Sequence, residues 1–363
     1  MSMPETTRTS RTTRPQPTGI GPSERHPSLP GPHFSLTPAT MHPLRFDPII
    51  KRLIWGGNRL GSVLGKPIGE GSQYAESWEL SDHRTDVSVV ADGPLTGMSL
   101  RDLVRYRTEE LLGSPFSHLR QFPLLVKYID AEQVLSVQVH PDDERGHRLA
   151  DDNGKTETWV VIDAKPGSVI YAGLKPGVTR EIFAQAIEAG KVEPLLHKIP
   201  ARAGDCILIP AGIVHAIGAG VMLAEIQQMS DATFRVFDWN RIGPDGNPRQ
   251  LHVAQALEST DFVAGPVNPL ATCAVPVAGG TREALSHTEY FSLERHNLTG
   301  RGAIGCADRF TIVMAIDGDV DIHSDGEATQ LRRGETLLLP ASLGVCEVEP
   351  IEGSATLITC IVP

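Results

Sequence analysis

Gly204-Asp205-Cys206-Ile207-Leu208-Ile209-Pro210-Ala211 reads as a tight turn feeding a short buried strand, and the phrase returns later as Gly334-Glu335-Thr336-Leu337-Leu338-Leu339-Pro340-Ala341. In both copies a Gly-acid pair turns the chain, a mostly apolar run follows, and Pro-Ala ends it. Shortly after the proline, the first copy carries His215 where the second carries Val345. The echo points to a duplicated β architecture in which only the first copy holds a polar site. Working outward, 123–130 (PLLVKYID), 134–141 (VLSVQVHP), 155–162 (KTETWVVI) and 309–316 (RFTIVMAI) also read as strands. Many short strands joined by Gly/Pro turns place the chain among mainly β proteins, as jelly-roll β-barrels.

Helical spacing is confined to a few places. Ser99 to Leu112 sets Leu100, Leu103, Val104, Leu111 and Leu112 on one side, with Ser99 as N-cap and Gly113 as stop. Thr179 to Ala189 does the same with Ile182, Phe183, Ala186 and Ile187, ending at Gly190. A third short helix is expected over Arg249 to Leu257, at a link between two domains. Residues 1–42 are rich in Pro, Ser, Thr and Arg and show no periodicity, so they cannot bury enough apolar surface to offset their ordering entropy. They have no apolar segment of a secretory signal and no amphipathic face of a transit peptide. The expected organisation is a disordered tail over 1–42, a site-bearing domain over 43–258 with helical segments near 99–113 and 179–190, and a second β domain over 259–363 without the site.

Bulk properties narrow the function. The chain has 363 residues, 21% charged and 40% hydrophobic, with a formal net charge of −11. That charge disfavours a nucleic-acid partner, because a phosphate backbone needs a basic face. It leaves room for a small anionic substrate held by a few local cations. No apolar run approaches membrane-spanning length, so no membrane partner is expected. The five cysteines, Cys206, Cys273, Cys306, Cys346 and Cys360, are scattered and include no Cys-x-x-Cys pair. They make neither a disulfide framework nor a thiolate zinc site, which points to the reducing cytoplasm. Monomer and homodimer remain equally open.

Three strands offer candidate metal ligands. Gln138 and His140 are two apart, so a strand turns both to one face; Lys155 and Glu157 alternate in the same way, with Trp159 and Val161 continuing that face. His215 follows a Pro-Ala-Gly turn. Two imidazoles, one carboxylate and one amide oxygen suit Zn²⁺ or a similar divalent ion, leaving one position for water or substrate. Each residue has a plainer reading alone: a hydrogen-bonded histidine, a solvated strand carboxylate, an ordinary amide.

The segments LSVQVHPDDE (135–144), GKTETWVVIDAKPG (154–167), IPAGIVHAIGAG (209–220) and LAEIQQMSDATFRVFDWNR (223–241) resemble, in this order, the signature segments of type I mannose-6-phosphate isomerases, in their short bacterial form. RLIWGGNRLG (52–61) and ESWELSDH (76–83) are similar to the family's opening strands. The resemblance runs from Phe46 to Phe262 and holds only in outline beyond. It implies two cupin-type jelly rolls with a small helical insertion, one Zn²⁺ per chain on His140, Glu157 and His215 with Gln138 as fourth ligand, and a catalytic arginine at Arg235. It implies interconversion of mannose 6-phosphate and fructose 6-phosphate. Met229 departs from the family, which more often has Asn there, so a polar contact near the site is in question.

Such an isomerase moves a proton between C2 and C1 through an enediolate, and Arg235 suits the stabilisation of that charge because it stays protonated. Lys155 can hold substrate oxygens or phosphate, transfer protons, or simply counter the carboxylate of Glu157. The base is unassigned. Asp142, Asp143 and Glu144 read as turn residues, one of which could orient a ligand imidazole. Trp159 and Trp239 read as core or pocket wall, and Arg202 and Arg241 as possible phosphate contacts. Fold and metal do not decide the substrate, so another or an unphosphorylated sugar, or a non-catalytic sugar-binding protein, stands as the alternative.

Overall fold

The computed structural model describes residues 40–243 and 246–363; the tail expected over 1–42 lies, up to position 39, outside these residues. Met41 is already only 2% exposed and belongs to the core.

Short strands with two apolar faces must be covered on both sides, and the chain meets this need with four large antiparallel sheets. Sheet 1 runs Cys206–Ile209, Glu157–Ala164, Val221–Gln228, Leu124–Ala131, Ile49–Gly57 and Tyr74–Leu80 in spatial order. Sheet 2 runs Leu196–Pro200, Val169–Leu174, His215–Ile217, Val137–Val139 and Phe234–Phe237. Sheet 3 repeats the order of sheet 1 with Thr336–Leu339, Thr311–Asp317, Ala355–Ile361, Ser292–Leu298, Gly280–His287 and Ala274–Val277, and adds Leu44–Arg45 beside its first strand. Sheet 4 repeats sheet 2 with Glu327–Leu331, Val320–Ser324, Val345–Pro350 and Gly302–Gly305. The mainly β, duplicated jelly-roll expectation therefore holds, although each jelly roll is a pair of open facing sheets rather than one closed hydrogen-bonded cylinder.

The echo sits at equivalent places. Gly204 N–H donates to the Val161 carbonyl at 2.8 Å, and Gly334 N–H to the Ala315 carbonyl at 2.7 Å. Both glycines have positive φ, +90° and +81°, which a side chain would resist. Ile209 pairs with Glu157 and Leu339 with Thr311, so Thr311 occupies in the second copy the position of Glu157 in the first.

Three apolar layers hold the stack. Trp159, Ile129 and Leu223 of sheet 1 meet Ile170 and Ile217 of sheet 2. Val313 and Leu357 of sheet 3 meet Ile322 and Val348 of sheet 4. The back of sheet 1 (Val126, Tyr128, Ile226) shares one cluster with sheet 3 (Ile312, Ile358) and with Leu103, Leu111 and Phe310, so the core is continuous across position 258. Phe310 is fully buried, its ring 5.1 Å from Phe122 and 6.3 Å from Phe116. Phe310→Ala should cost about 3–5 kcal/mol, read as a lower denaturation midpoint with an unchanged denaturant slope.

The helical expectations hold with shifts. Ser99 caps the first helix by accepting from Asp102 N–H, but the chain breaks at Arg107 (φ −135°), giving Leu100–Tyr106 and Thr108–Leu112. Gly113 then takes φ +97° with the Asp308 carbonyl oxygen 2.0 Å from where a Cβ would sit. Thr179 caps Arg180–Glu188, whose Phe183 and Ile187 cover the outer face of sheet 2 while Ile182 faces out. The third helix begins later than expected, at Val253–Ser259, because residues 249–252 are engaged at a cavity described below. Asp142, Asp143 and Glu144 are not turn residues: Asp142 is the N-cap of a helix over Asp143–Ala150. That helix has only Leu149 and Ala150 to pack on the core, both in its last turn; its signals were the capping Asp142, an acidic first turn and a basic last turn. No described helix is long and apolar enough to cross a membrane.

Candidate metal centre

Sheet 1 turns an unusual face toward sheet 2. Alternation points Glu157, Lys127 and Glu225 inward along with Trp159, Ile129 and Leu223, so charges stand in a layer otherwise filled by apolar side chains. They are ordered by sign. Lys127 Nζ lies 3.7 Å from Glu76 and 3.1 Å from Glu225; Lys155 Nζ lies 3.9 Å from Glu225 and 2.8 Å from Glu157. Three carboxylates face two ammoniums, so the row carries one net negative charge when all five are ionised.

The imidazoles come from sheet 2 and from the loop that follows one of its strands. His215 is paired directly opposite Gln138, and His140 lies just beyond the end of the Gln138 strand. His140 Nδ1 is 2.9 Å from the Ala232 carbonyl and His215 Nδ1 is 2.8 Å from the Ile213 carbonyl. A carbonyl can only accept, so both Nδ1 atoms carry the proton and both Nε2 atoms present a lone pair, which faces Lys155 Nζ at 3.0 Å in His140 and the Gln138 amide at 3.3 Å in His215. Those Nε2 atoms each lie 3.4 Å from a different oxygen of Glu157. Burial, then the Lys155 charge, pushes His140 down to about 3, and burial likewise lowers His215, so both imidazoles are neutral. Burial pushes the Glu157 carboxyl up, but the Lys155 charge beside it outweighs this and holds it well below the usual range.

These residues fit a divalent cation. His140, Glu157 and His215 bring their ligand atoms within 4.8 Å of one another, all buried. Ligands about 2.0–2.1 Å from a tetrahedral ion stand about 3.4 Å apart, which is the spacing between Glu157 and each imidazole. Neither oxygen of Glu157 receives a hydrogen bond, although it is fully buried; Lys155 Nζ is close to one but out of line for donation. An ionised, completely buried carboxylate without donors is costly unless a cation takes its lone pairs. The Gln138 amide lies 3.3 Å from His215 Nε2, within reach of the same point, and can turn its oxygen toward it.

A cavity of about 310 Å³ opens onto this cluster, lined by Gln138, Lys155, Glu225, Lys127, Arg235 and Arg249 among others. Its size suits a small polar metabolite. Arg235 is paired opposite Gln138, next to the ligand cluster; its Nε donates to Ser136 Oγ at 3.3 Å and its Nη1 to the Gln250 carbonyl at 2.9 Å. The structure thus brings together Gln138, His140, Lys155, Glu157, His215 and Arg235. It does not bring Arg202, which sits on the exposed 202–205 turn, or Arg241, which donates to the Val134 carbonyl and to Asp238. His140 is oriented by Ala232, not by an acid of 142–144; Asp143 instead accepts from Gly154 N–H, Gln228 and Tyr290. Trp159 is core, with its indole N–H on Glu225 at 2.9 Å, and Met229 packs in the layer between sheets 1 and 3 rather than in the cavity wall.

Sequence reasoning missed Lys127, Glu225, Glu76 and Arg249. For two of them a signal existed: Lys127 and Glu225 interrupt apolar runs too continuous for a half-exposed strand, and a charge buried there must have a purpose. Burial, then the Glu157 charge, pushes the Glu225 carboxyl up. Burial disfavours the Lys127 ammonium, but Glu225 and Glu76 more than offset it.

Residues 44–164 match the model of the phosphomannose isomerase type I catalytic domain, and residues 281–362 that of the mannose-6-phosphate isomerase cupin domain. The chain is 36% identical over 302 residues to the mannose-6-phosphate isomerase of Streptococcus mutans, covering 83% of this chain and 93% of that protein. It is 32% identical over 311 residues to a mannose-6-phosphate isomerase of Bacillus subtilis, covering 85% and 96%. The crystal structure of the mannose 6-phosphate isomerase from Bacillus subtilis superposes with a TM-score of 0.80 at 30% identity, covering 88% of this chain and 99% of that one.

Proposed function

We propose, from the premise that the chain belongs to the type I phosphomannose isomerase family, that it interconverts D-mannose 6-phosphate and D-fructose 6-phosphate through an enediolate. The observation that carries this reading is the fully buried, donor-free Glu157 carboxylate facing two unprotonated imidazole nitrogens beside an arginine-lined cavity. His140, Glu157, His215 and Gln138 would hold the ion, Zn²⁺ by its preference for this nitrogen and oxygen set. When bound, it would supply Lewis-acid stabilisation of negative charge on a sugar oxygen. The site-bearing half is residues 43–258, and residues 259–363 form the half without ligands, where Thr311 and Val345 replace Glu157 and His215. Five free cysteines accord with action in the cytoplasm.

The protein's own groups divide the remaining work. The C2–H proton passes to a carboxylate while its electrons form the C1=C2 bond and leave the charge on O1. The proton then returns to C1 as O2–H is given up and O1 recovers the ketose form's hydroxyl proton. Glu225 suits the carrier, because its raised pKa brings it nearer the working pH. The Lys155 ammonium donates to substrate oxygens at the ligand end. Arg235, beside Gln138, offers permanent charge to the enediolate. Arg249 supplies a second guanidinium to the same cavity, and the pair of like charges favours an anion, here the phosphate.

Turnover in D₂O tests the reaction: fructose 6-phosphate formed from mannose 6-phosphate should carry deuterium at C1. Product without deuterium would mean either a direct hydride shift or return of the same proton by a carrier shielded from solvent, and no product from metal-loaded protein would leave a sugar-binding protein. Arg249→Ala should raise KM for mannose 6-phosphate by roughly tenfold to a hundredfold, the worth of a charged hydrogen bond. It should leave kcat/KM for unphosphorylated mannose unchanged.

A further inference from the structure

Three arginines converge next to the cavity around a single carboxylate. Asp238 accepts from Arg249 through both Nε, at 2.7 Å, and Nη2, at 2.5 Å, and also from Arg241 Nη2. Arg235 is close enough to feel the charges of Arg249, Asp238 and Arg241. Two positive charges therefore remain uncompensated, and of the three guanidiniums only Arg235 and Arg249 reach the cavity wall. Asp238 itself is not in that wall, and its side chain is only 6% exposed.

The backbone is shaped to make this convergence. Immediately after Asp238, Trp239 and Asn240 take positive φ, +57° and +55°, in succession. Two non-glycine residues in the left-handed region cost of order 1–3 kcal/mol each unless their surroundings enforce them. Here the Trp239 indole N–H donates to the Leu135 carbonyl at 2.6 Å, and its ring lies 5.5 Å from Tyr171 and 5.4 Å from Phe237. The reversal returns the chain so that Arg241 and Arg249 both meet Asp238, while His252 N–H donates to the Arg235 carbonyl at 2.8 Å.

We propose that Asp238 is a positioning residue for phosphate recognition, holding the planar fork of Arg249 so that its free edge faces the cavity. The inference rests on the reading of Arg249 as phosphate anchor and goes beyond it. A bidentate pair fixes both direction and roll of a guanidinium, which a single bond would not. Arg249 is 24% exposed at its side chain, so without the carboxylate it has a path into solvent away from Arg235 and Arg241. Removing Asp238 also raises the local positive charge, which by itself would tighten an anion. The two effects oppose in sign, and orientation wins at contact distance, because screened charge near a solvent-open edge is worth less than a placed charged hydrogen bond.

The test is steady-state kinetics of Asp238→Asn, Asp238→Glu, Arg249→Ala and Asp238→Asn/Arg249→Ala, each at full metal occupancy. Asp238→Asn should raise KM for mannose 6-phosphate, and the inhibition constant of inorganic phosphate, by about tenfold, with kcat changed far less. Asp238→Glu, which keeps the charge, should recover part of that loss. The double variant should be no worse than Arg249→Ala alone. The proposal is overturned if Asp238→Asn leaves KM unchanged or lowers it, if its effect adds in full to that of Arg249→Ala, or if it lowers kcat and melting temperature without changing phosphate inhibition. A null result for Arg249→Ala would instead remove the anchor reading itself.

Discussion

Alanine at His140, Glu157 or His215 is expected to strip the bound metal and take turnover below detection. The three supply the buried ligand atoms that lie within 4.8 Å of one another. Loss of Glu157 removes the only carboxylate among them, and with it the negative charge that makes the pocket a cation site. Loss of either imidazole leaves the charge unchanged, because both are neutral, but removes one of the three buried lone-pair donors that would surround the ion. Structural zinc sites are worth on the order of 10 kcal/mol at neutral pH, so removal of one ligand should be visible in elemental analysis as well as in rate. Gln138→Ala should be milder, with weakened but measurable metal, because a neutral amide oxygen is the poorest donor of the four. Stoichiometric metal in both His140→Ala and His215→Ala would overturn the assignment. Circular dichroism keeps the test honest: each variant should remain β-rich, since the three apolar layers do not depend on these side chains.

Arg235→Ala is expected to lower kcat by roughly a hundredfold to a thousandfold, about 3–4 kcal/mol, the usual cost of removing one preorganised charged partner. Its position explains why the loss should fall on the transition state. It is paired directly opposite Gln138, and its guanidinium is fixed from two sides, by Ser136 and by the Gln250 carbonyl. A charge already held in place beside the ligand cluster needs no reorganisation when the enediolate forms. Arg235→Lys keeps the charge and loses the fork, so it should recover only part of the rate. Metal content should be unchanged in both. The contrast with Arg249→Ala is the informative readout: kcat for Arg235, KM for Arg249. If Arg235→Ala instead raises KM steeply at wild-type kcat, the two arginines form one phosphate anchor.

Much of this was written in the chain in readable form. Period-two alternation, Gly-acid turns and the Pro-Ala echo are local, so 204–211 and 334–341 disclosed a duplicated β fold before any contact was known. The same locality exposed His140, Glu157 and His215, because strand spacing puts such residues on predictable faces and the flanking segments resemble a family. The helix over Asp143–Ala150 escaped because its apolar residues are few and small, Leu149 and Ala150 in the last turn, behind an acidic opening that also reads as a turn. The break at Arg107 escaped because φ at one residue does not alter the apolar spacing on either side of it.

The sequence by itself determined the fold class, the copy that bears the site, and the residue types able to hold a cation. Tertiary structure alone decided how the charges are shared. Lys127, Glu225 and Glu157 sit on three strands separated in sequence, with Lys155 just before the third, and only sheet register sets them in a row of alternating sign. Which arginine reaches the cavity was equally hidden. Arg241 and Arg249 both meet Asp238, yet only Arg249 lines the wall, while Arg241 turns to the Val134 carbonyl. Local sequence specifies what a residue can do; electrostatic work depends on distances between residues far apart in the chain, and those exist only once the sheets have stacked.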